Sequence, residues 1–394
     1  MTTNFIPLSV PNLKGNELEY VTTAVQTEWV STGGPYVSEF EQKFAQYVHA
    51  RGAVSCQSGT AGLHIALMLM GVTRDDAVIV PTLTFIASVN PIKYCNAEPI
   101  FMDCDDSLCM DPEKLDRFFR EECDYVDEVL VDRSSGRQIK AIMIVHVFGN
   151  LSNMEAIMKT AAHYNLKVIE DATEALGSYY QSGKYAGMYA GTIGDIGVYS
   201  FNGNKIITTG GGGMIISENS DLLRHARHLT TQAKSDELYY THDEIGYNYR
   251  MTNLQAALGL AQFEQLESFI EAKHRNYQLY RDALQVIPGL RLLEFRILTR
   301  SNKWFYSLFV EDSFPMDRDE LIKYLADNQI QTRPVWGLIH EQQPYHGARQ
   351  YMIEKAKYYH EHIVNIPCST NLTEAQIALV TACISEISAL ESKH

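Results

Sequence analysis

A single lysine lies between two short apolar runs in the middle of the chain, and its surroundings suit chemistry on a carbonyl group. The run Val198–Phe201 ends at the turn-forming pair Asn202 and Gly203, Lys205 follows, and four consecutive glycines lead into a second apolar run. Burial favours the neutral form of a lysine side chain, which is the form that condenses with a carbonyl. The glycines leave room for a flat ligand to approach. Taken alone, the pattern is more typical of an exposed lysine at the tip of a β-hairpin.

An acidic strand end upstream of this lysine supplies a second chemical group. The short run Lys167–Glu170 leads into Asp171, at the carboxyl end of a predicted strand, where open α/β sheets place their ligands. A carboxylate there can keep a pyridine nitrogen protonated, which a pyridoxal phosphate ring requires in order to act as an electron sink. Asp171 precedes Lys205 by 34 positions (205 − 171). The chemistry of the two side chains is compatible with pyridoxal phosphate, which needs both an amine and a carboxylate of this kind.

A strand, a small polar turn and a helix N-terminus form a third motif. Ser58, Gly59 and Thr60 follow the predicted strand Gly52–Cys56 and precede an apolar helix. A helix N-terminus attracts anions, because free backbone N–H groups and the positive end of the helix dipole point at the same place. N-capping by Ser58 or Thr60 explains the same residues and is the commoner case.

These motifs occur in the order and approximate spacing of the DegT/DnrJ/EryC1/StrS family of sugar-nucleotide aminotransferases, which the chain resembles over nearly its whole length. The resemblance implies an α/β fold of the aspartate aminotransferase type (pyridoxal phosphate fold type I). Such a fold has a mainly parallel central sheet with helices on both faces and a smaller α+β C-terminal domain. The resemblance also implies pyridoxal 5'-phosphate as the cofactor. The implied activity is transfer of an amino group from glutamate to a nucleotide-linked keto-deoxysugar, in the biosynthesis of amino sugars for cell-surface polysaccharides.

The family's roles are carried over only to the positions that match its motifs. Lys205 would hold the cofactor as a Schiff base and move the proton between cofactor and substrate, and Asp171 would face the ring nitrogen. The other implied cofactor contacts are the phosphate-binding Gly59 and Thr60, the ring-stacking Phe85, the phenolic-oxygen neighbour Glu174, Ser200, and the phosphate-binding Asn248. Glu174 stands where many family members have glutamine, so its hydrogen-bond partner is not assigned. Capping of a helix is an equally weighted alternative to a contact with the cofactor.

The polar and aromatic loop Gly246–Asn253 carries a prediction about assembly. In the family this loop reaches into the neighbouring subunit's site, which implies a homodimer with shared active sites and places Asn248 on the partner's cofactor. Arg250, in the same loop, and the more distant His340 are candidate substrate contacts. A basic cluster upstream could meet substrate phosphates or, equally, acidic groups of its own chain; its members are Arg224, His225, Arg227 and His228.

Length and composition limit the remaining possibilities. A chain of 394 residues predicts a large domain (31–265) and a small C-terminal domain (266–394) that share one site, preceded by an N-terminal arm (1–30) that packs on the molecule or on a second subunit. The net charge of −15 argues against nucleic acid as the main partner. No apolar run is long enough to span a membrane. Seven cysteines without a C-x-x-C pair predict neither disulfides nor a metal site, and with no signal peptide a cytoplasmic location is expected.

The charged stretch 124–140 bears on which substrate subgroup of the family the chain resembles. It is predicted to form a surface hairpin before the buried strand Ala141–Val145. With such an insertion the chain resembles one subgroup of the family. The enzymes of that subgroup aminate C4 of UDP-linked 4-keto-6-deoxy-N-acetylhexosamines, in the biosynthesis of legionaminic acid or bacillosamine.

Other readings of the same residues remain open. A dehydratase of the same family has histidine in place of the lysine, so Lys205 argues against it. A desulfurase needs a mobile catalytic cysteine, and Cys56, the cysteine nearest a cofactor motif, lies on a predicted strand. An aminotransferase for 3-keto nucleotide sugars and a pyridoxal-phosphate-binding regulatory or interaction protein without turnover are the remaining alternatives.

Overall fold

A computed structural model of the chain describes residues 5–236 and 238–391, and side chains as far as residue 387. The α-helices are α1 (Glu17–Gln26), α2 (Pro35–Tyr47), α3 (Gly59–Leu69), α4 (Asn90–Tyr94), α5 (Pro112–Glu122), α6 (Met154–His163), α7 (Ser220–Thr230), α8 (Asn253–Phe263), α9 (Leu266–Leu284), α10 (Arg318–Asp327), α11 (Lys355–His362) and α12 (Glu374–Glu391). None of the helices among these residues is both long and apolar enough to cross a lipid bilayer.

Most strands belong to one central sheet. The strands are β1 (Ala53–Cys56), β2 (Asp76–Pro81), β3 (Glu98–Met102), β4 (Cys123–Val126), β5 (Val129–Asp132), β6 (Gln138–Val145), β7 (Lys167–Asp171), β8 (Tyr179–Tyr180), β9 (Ile196–Ser200), β10 (Gly213–Ile216), β11 (Lys234–Asp236), β12 (Thr241–His242), β13 (Leu290–Leu292), β14 (Thr299–Arg300), β15 (Tyr306–Val310), β16 (Arg333–Pro334), β17 (Gln350–Tyr351) and β18 (Ile363–Ile366). The central order is β1-β10-β9-β7-β6-β2-β3-β17. The strands from β9 to β17 in this order are parallel, while β10 runs antiparallel to both of its neighbours. The predicted parallel sheet is confirmed, and β4 and β5 form the hairpin predicted before β6.

Side chains alternate along the central strands and supply a core on each face. In β6, Ile142 and Ile144 pack in one apolar cluster with residues of α2, α5, α6 and α8. Ala141 and Met143, which alternate with them along the strand, pack in a second cluster with residues of α3, α4 and α7. Since successive residues of a strand point to opposite faces, this near-continuous apolar sequence is the one that a sheet covered on both sides requires.

A second, smaller sheet forms in the C-terminal part of the chain. Strands β13, β15, β18 and β16 are antiparallel, and their apolar side chains pack with those of α9, α10, α11 and α12. The N-terminal segment joins this part: Ile6 N donates to Gln329 O at 2.9 Å, and Cys368 N donates to Leu8 O at 2.8 Å. The mixed α+β character of this region agrees with the expectation, and the boundaries at residues 30 and 265 stay predictions.

A stretch whose sequence predicts one long helix forms two helices in the structure. The periodicity between Leu254 and Val286 predicts a single long helix, but α8 ends at Phe263 and α9 begins at Leu266. Gln262 Nε2 and, at 2.8 Å, Gln265 Nε2 both donate to Glu17 Oε1 of α1. A buried carboxylate from a distant segment thus holds the break, which local periodicity does not reveal.

A buried ion pair ties α2 to the loop before α8. Glu41 Oε1 accepts hydrogen bonds from Arg250 Nη1 and from Ser55 N (2.7 Å), and Glu41 Oε2 accepts one from Arg227 Nη2 (2.8 Å). Burial opposes the charged form of Glu41, but the Arg250 and Arg227 guanidinium groups and the Ser55 N–H together outweigh burial and lower the carboxyl pKa. The pair fixes the loop that carries Asn248.

We expect Glu41→Gln to lower the free energy of unfolding by about 3 kcal/mol, because it leaves a buried guanidinium without its counter-charge. Urea denaturation of the cofactor-free protein at pH 7 measures the change. Glu39→Gln in the same helix is the matched control: Glu39 forms an exposed pair with Lys43 at 3.0 Å, and its loss should cost less than about 1 kcal/mol. Equal effects of the two substitutions would contradict the role of the buried pair.

Candidate active site

A cavity of about 610 Å³ lies where the carboxyl ends of β7 and β9, the N-terminus of α3 and the C-terminal sheet meet. Most of the predicted site residues line it: Gly59, Thr60, Phe85, Asp171, Glu174, Ser200 and Lys205. Residues 304–305, 333–337 and 365 close the cavity from the C-terminal side. The fold therefore gathers side chains from three separate sequence motifs into one enclosed space.

Asp171 is fixed before any ligand binds. Its carboxylate is buried and accepts hydrogen bonds from Ser88 Oγ (2.7 Å) and from Thr173 N (3.1 Å). Ser88 Oγ in turn lies 2.9 Å from Thr84 Oγ1. Two donors on one buried carboxylate hold it in a single orientation at the end of β7, and they leave lone pairs free for a ligand.

Lys205 lies at the turn between β9 and β10, as a hairpin reading predicts, but its side chain is enclosed rather than exposed. Its Nζ is 3.8 Å from the centre of the Trp304 ring and 3.4 Å from Glu174 Oε1. Trp304 is itself held in place, because its Nε1 donates to Asn204 O at 2.7 Å. An aromatic face and a carboxylate thus hold the amine inside the cavity.

Glu174 is a second buried carboxylate beside the lysine. Its Oε2 accepts a hydrogen bond from Phe148 N at 2.8 Å. Burial raises the pKa of Glu174 to about 7, and the Asp171 charge adds to this, while the Lys205 cation and the Phe148 N–H oppose it. The carboxyl group can therefore gain or lose a proton near neutral pH. Its hydrogen bonds are made to Phe148 N and Lys205 Nζ.

The N-terminus of α3 forms the opposite wall. Ser58 caps the helix by accepting a hydrogen bond from Ala61 N at 3.1 Å, so the capping interpretation holds for Ser58. Gly59 lies so close to the sheet that a Cβ there would be 3.0 Å from Ser200 Cβ and from Thr173 Cγ2. A helix N-terminus, hydroxyl groups, a buried carboxylate and an amine in one cavity fit a planar, phosphorylated aldehyde with a ring nitrogen.

Three predicted site residues lie outside this cavity. Asn248 and Arg250 line a separate cavity of about 730 Å³, and Arg250 is engaged by Glu41. His340 Nδ1 lies 2.6 Å from Thr82 Oγ1, beside β2. Within its own chain Arg250 is a structural ion-pair partner, because the charge of a buried carboxylate requires it. The proposed substrate roles of Arg250 and His340 have no support from this geometry.

The basic cluster on α7 faces acidic groups of its own chain, the second of the two alternatives. Three pairs outside the Glu41 site show this: Arg224 with Asp221 (2.6 Å), His225 with Glu244 (2.7 Å) and His228 with Asp243 (2.7 Å). His228, Asp243 and Glu244 also have the spacing of a possible metal site. His228 is hydrogen-bonded to Asp243, and Glu244 is hydrogen-bonded to His225.

Several cavity residues were missed by sequence reasoning. Ser88 could have been found, because it follows the end of β2 at the same sheet edge as Asp171. Trp304 carries no local signal, since its contact with Lys205 joins distant parts of the chain.

The geometry of Cys56 disfavours a desulfurase, which needs a mobile catalytic cysteine. Cys56 is buried in β1, and its Sγ donates to Ser58 O at 3.2 Å. Burial raises the pKa of its thiol to about 12.

Comparison with known proteins agrees with the fold and the cavity. Residues 11–385 match the model of the DegT/DnrJ/EryC1/StrS aminotransferase family. The chain is 37% identical over 382 residues to a GDP-perosamine synthase of Escherichia coli O157:H7, covering 97% of this chain and 98% of that protein. It is 35% identical over 375 residues to a putative pyridoxal phosphate-dependent aminotransferase, EpsN, of Bacillus subtilis strain 168, covering 94% and 92%. A crystal structure of a family member from Brucella abortus superposes with a TM-score of 0.85 at 27% identity, covering 95% of each chain.

The fold and the cavity define a pyridoxal-phosphate-dependent aminotransferase. The chain belongs to the DegT/DnrJ/EryC1/StrS aminotransferase family, whose members act on nucleotide sugars. The predictions of the family, the fold type, the cofactor and the enzyme class are confirmed.

The pKa of Glu174 predicts a pH-dependent stability. Because folding raises this pKa from its ordinary value near 4.5 to about 7, the folded chain binds the proton more tightly than the unfolded chain. The resulting stabilisation is complete below about pH 4.5 and is lost as the pH rises through about 7. Between pH 5 and pH 8 we expect the cofactor-free protein to lose about 3 kcal/mol relative to Glu174→Gln, which cannot titrate.

Urea denaturation of both proteins at several pH values measures this difference. Glu19→Gln, at an exposed position of α1, is the control and should leave the pH profile unchanged. A constant difference between the wild type and Glu174→Gln across this range would mean that Glu174 titrates normally.

Proposed function

We propose that the chain transfers the amino group of glutamate to C4 of a nucleotide-linked 4-keto-6-deoxy sugar, with UDP-4-keto-6-deoxy-N-acetylhexosamine as the first candidate. The observation that carries the proposal is the single cavity that joins Lys205, Asp171 and Glu174 to the N-terminus of α3. This arrangement supports reversible nitrogen transfer, because one pocket serves both halves of a ping-pong reaction.

Lys205 is the residue proposed to bind the cofactor and to move the proton. When bound, pyridoxal phosphate supplies an aldehyde that exchanges nitrogen with amines and a ring that delocalises the electrons of an adjacent C–H bond. Lys205 Nζ would be the nucleophile that holds the cofactor, and the same amine would serve as the general acid–base that carries a proton between carbons. Trp304 over Nζ limits the positions that the amine can occupy and excludes water from that side.

Asp171 and Glu174 are proposed to control protons at the two ends of the ring. Asp171, oriented by Ser88 and Thr173, would hold the proton of the ring nitrogen. Glu174 would hold or release a proton beside Lys205, because its pKa lies near 7. Gly59, Thr60 and Ser200 would bind the phosphate at the start of α3, and Phe85, which is 51% exposed in the cavity wall, would cover the ring.

Two observations bear on the nucleotide. The hairpin of β4 and β5 is the feature similar to the UDP-sugar subgroup. The relatives named GDP-perosamine synthases support a second candidate, a GDP-linked sugar: they include proteins of Escherichia coli O157:H7 and Vibrio cholerae, the latter 33% identical over 96% of this chain. Amination of a 3-keto sugar remains the competing prediction.

The test combines the cofactor-loaded protein with glutamate and a panel of UDP- and GDP-linked 4-keto and 3-keto sugars, with mass spectrometry of the products. We expect a gain of one amino group on a 4-keto sugar. Asp171→Asn should bind cofactor but lose about 10²-fold or more in rate, since a neutral amide cannot stabilise a protonated ring nitrogen. Lys205→Ala should abolish turnover, and borohydride should label Lys205 in the wild type.

Label on another lysine, or near wild-type turnover by Asp171→Asn, would refute the residue assignments. Cofactor binding without amination of any sugar in the panel would refute the proposed substrate. Asp105→Asn is a control outside the cavity, because Asp105 pairs with Arg296 at 2.8 Å.

The homodimer with shared sites is proposed on the position of Asn248. This side chain is exposed, its backbone pairs with Thr231, and it lines a cavity separate from that of Lys205. An exposed asparagine on a fixed loop is available to a second copy of the chain. In a two-fold dimer the contact would be made twice, once at each site.

Mixing two inactive variants tests this arrangement. Lys205→Ala chains refolded together with Asn248→Asp chains should regain activity, because each mixed dimer has one site free of both changes. With random pairing about a quarter of all sites are intact. Each variant refolded alone is the control. Mixed dimers that form, bind cofactor and stay inactive would place Asn248 at the site of its own chain.

A further inference from the structure

A cluster of metal-ligating side chains joins α7 to the loop between β12 and α8. His225 and His228 lie three residues apart on one face of α7, with ring centres 6.4 Å apart. Asp243 and Glu244 face them from the loop. One ligand atom from each of His228, Asp243 and Glu244 lies within 4.8 Å of the other two. None of the four residues is among those that line the Lys205 cavity.

The two carboxylates of this cluster have no permanent counter-charge. Among the residues that the structure describes, neither Asp243 nor Glu244 has a lysine or arginine within ion-pair distance, and both face histidines instead. Arg227, on the same helix, is engaged by Glu41. When its imidazoles are neutral, the cluster therefore holds two negative charges with nothing to balance them. A divalent cation supplies the missing charge.

The distances in the cluster are close to those that a metal ion needs. Two ligands of a tetrahedral ion with bonds of about 2.0–2.1 Å lie about 3.4 Å apart. His228 Nε2 is 3.6 Å from Glu244 Oε1. The two hydrogen-bonded pairs, His228 Nε2 with Asp243 Oδ1 and His225 Nε2 with Glu244 Oε1, are each 2.7 Å apart. An ion that replaces these hydrogen bonds requires each pair to open by about 0.7 Å, which partly exposed side chains can do.

Main-chain contacts already hold the two segments together. Tyr247 N donates to Leu229 O at 2.7 Å, and Gln232 N donates to Tyr247 O at 3.0 Å. A Cβ on Gly246 would lie 2.2 Å from Ala233 N, so the loop passes directly against the turn that follows α7. Because the backbones that carry the ligands are fixed relative to each other, less conformational freedom is lost when an ion binds.

We propose that this cluster is a binding site for a divalent transition-metal ion of the zinc type, with His225, His228, Asp243 and Glu244 as its ligands. Mixed imidazole and carboxylate ligands suit such an ion, whereas Mg²⁺ and Ca²⁺ prefer oxygen ligands alone. The ion clamps the loop that carries Asn248 to α7 and takes no part in nitrogen transfer. The proposal does not depend on which sugar is the substrate.

Calorimetric titration of the full-length, cofactor-loaded protein with Zn²⁺, after removal of metal by a chelator, tests the site. We expect saturable binding of one ion per chain, with a Kd of about 10 µM or below. His228→Gln and Glu244→Gln should each weaken this binding by at least about 10-fold, because loss even of a group that only supports a ligand costs that much. Circular dichroism and retained cofactor confirm that each variant is folded.

X-ray absorption at the zinc edge identifies the ligands. The wild type should show nitrogen and oxygen ligands at about 2.0–2.2 Å and no sulfur at about 2.3 Å. His362→Gln is the matched control for the titration. His362 also faces a carboxylate, Asp312 at 3.2 Å, but it belongs to no group of three possible ligands in the described part of the chain. This substitution should leave the zinc affinity unchanged.

Amide hydrogen exchange measures the clamp. At a Zn²⁺ concentration of 100 times Kd, exchange in residues 243–250 should slow by up to about 100-fold, because opening of the loop must release the ion. The same addition should have no effect on His228→Gln at that concentration if its affinity is lost.

Three results would overturn the proposal. The first is the absence of saturable zinc binding by the wild type. The second is equal affinity in the wild type, His228→Gln and Glu244→Gln, or sulfur among the ligands, either of which would place the ion at another site. The third is binding at this site without slower exchange in residues 243–250, which would refute the clamp.

Discussion

The active site depends on holding two carboxylates and one amine together out of water. Asp171 is 1% exposed and Glu174 is 5% exposed, and a buried charge is costly unless hydrogen bonds or an opposite charge compensate it. The fold compensates both carboxylates. Ser88 and Thr173 donate hydrogen bonds to Asp171. Phe148 and Lys205 donate hydrogen bonds to Glu174. These donors fix the site before a ligand enters, so binding requires little reorganisation of the protein.

The backbone is strained where these donors are placed. Phe148 adopts a left-handed conformation with φ 55°, which is unfavourable for a bulky residue and persists only where the surroundings impose it. This conformation directs its N–H towards Glu174 and leaves its ring between Trp304 and Trp336. At the next position, a Cβ on Gly149 would lie 1.9 Å from Asn302 Oδ1, so only glycine fits there. One short turn after β6 thus organises the carboxylate and the aromatic wall together.

The site is completed by side chains from the C-terminal part of the chain. Trp304 covers the amine of Lys205, and Arg333 brings a cation to the same cavity. Asp171 and Lys205 lie at the ends of strands of the central sheet, whereas Trp304 and Arg333 belong to the C-terminal part of the chain.

The sequence by itself determined the features that follow from local patterns. Alternating strands and helices indicated the parallel sheet, and the strand-end rule located Asp171. The turn between two apolar runs and the capped turn gave the positions of Lys205, Gly59 and Thr60, but the resemblance to the family was needed to assign them to a cofactor site. These residues lie at the ends of elements whose type the chain specifies over a few residues, so their meeting at one sheet edge was predictable.

Tertiary structure alone decided the contacts between distant segments. The ion pair that removes Arg250 from the cavity is made by Glu41, and the break between α8 and α9 is held by Glu17. Trp304 and Arg333 reach the cavity only because the C-terminal part of the chain meets the ends of the central strands there. Side-chain periodicity reports which face of an element is apolar, but not which distant segment covers it. Burial then determines which charged groups must pair and which remain available to a ligand, and burial is a property of the whole fold.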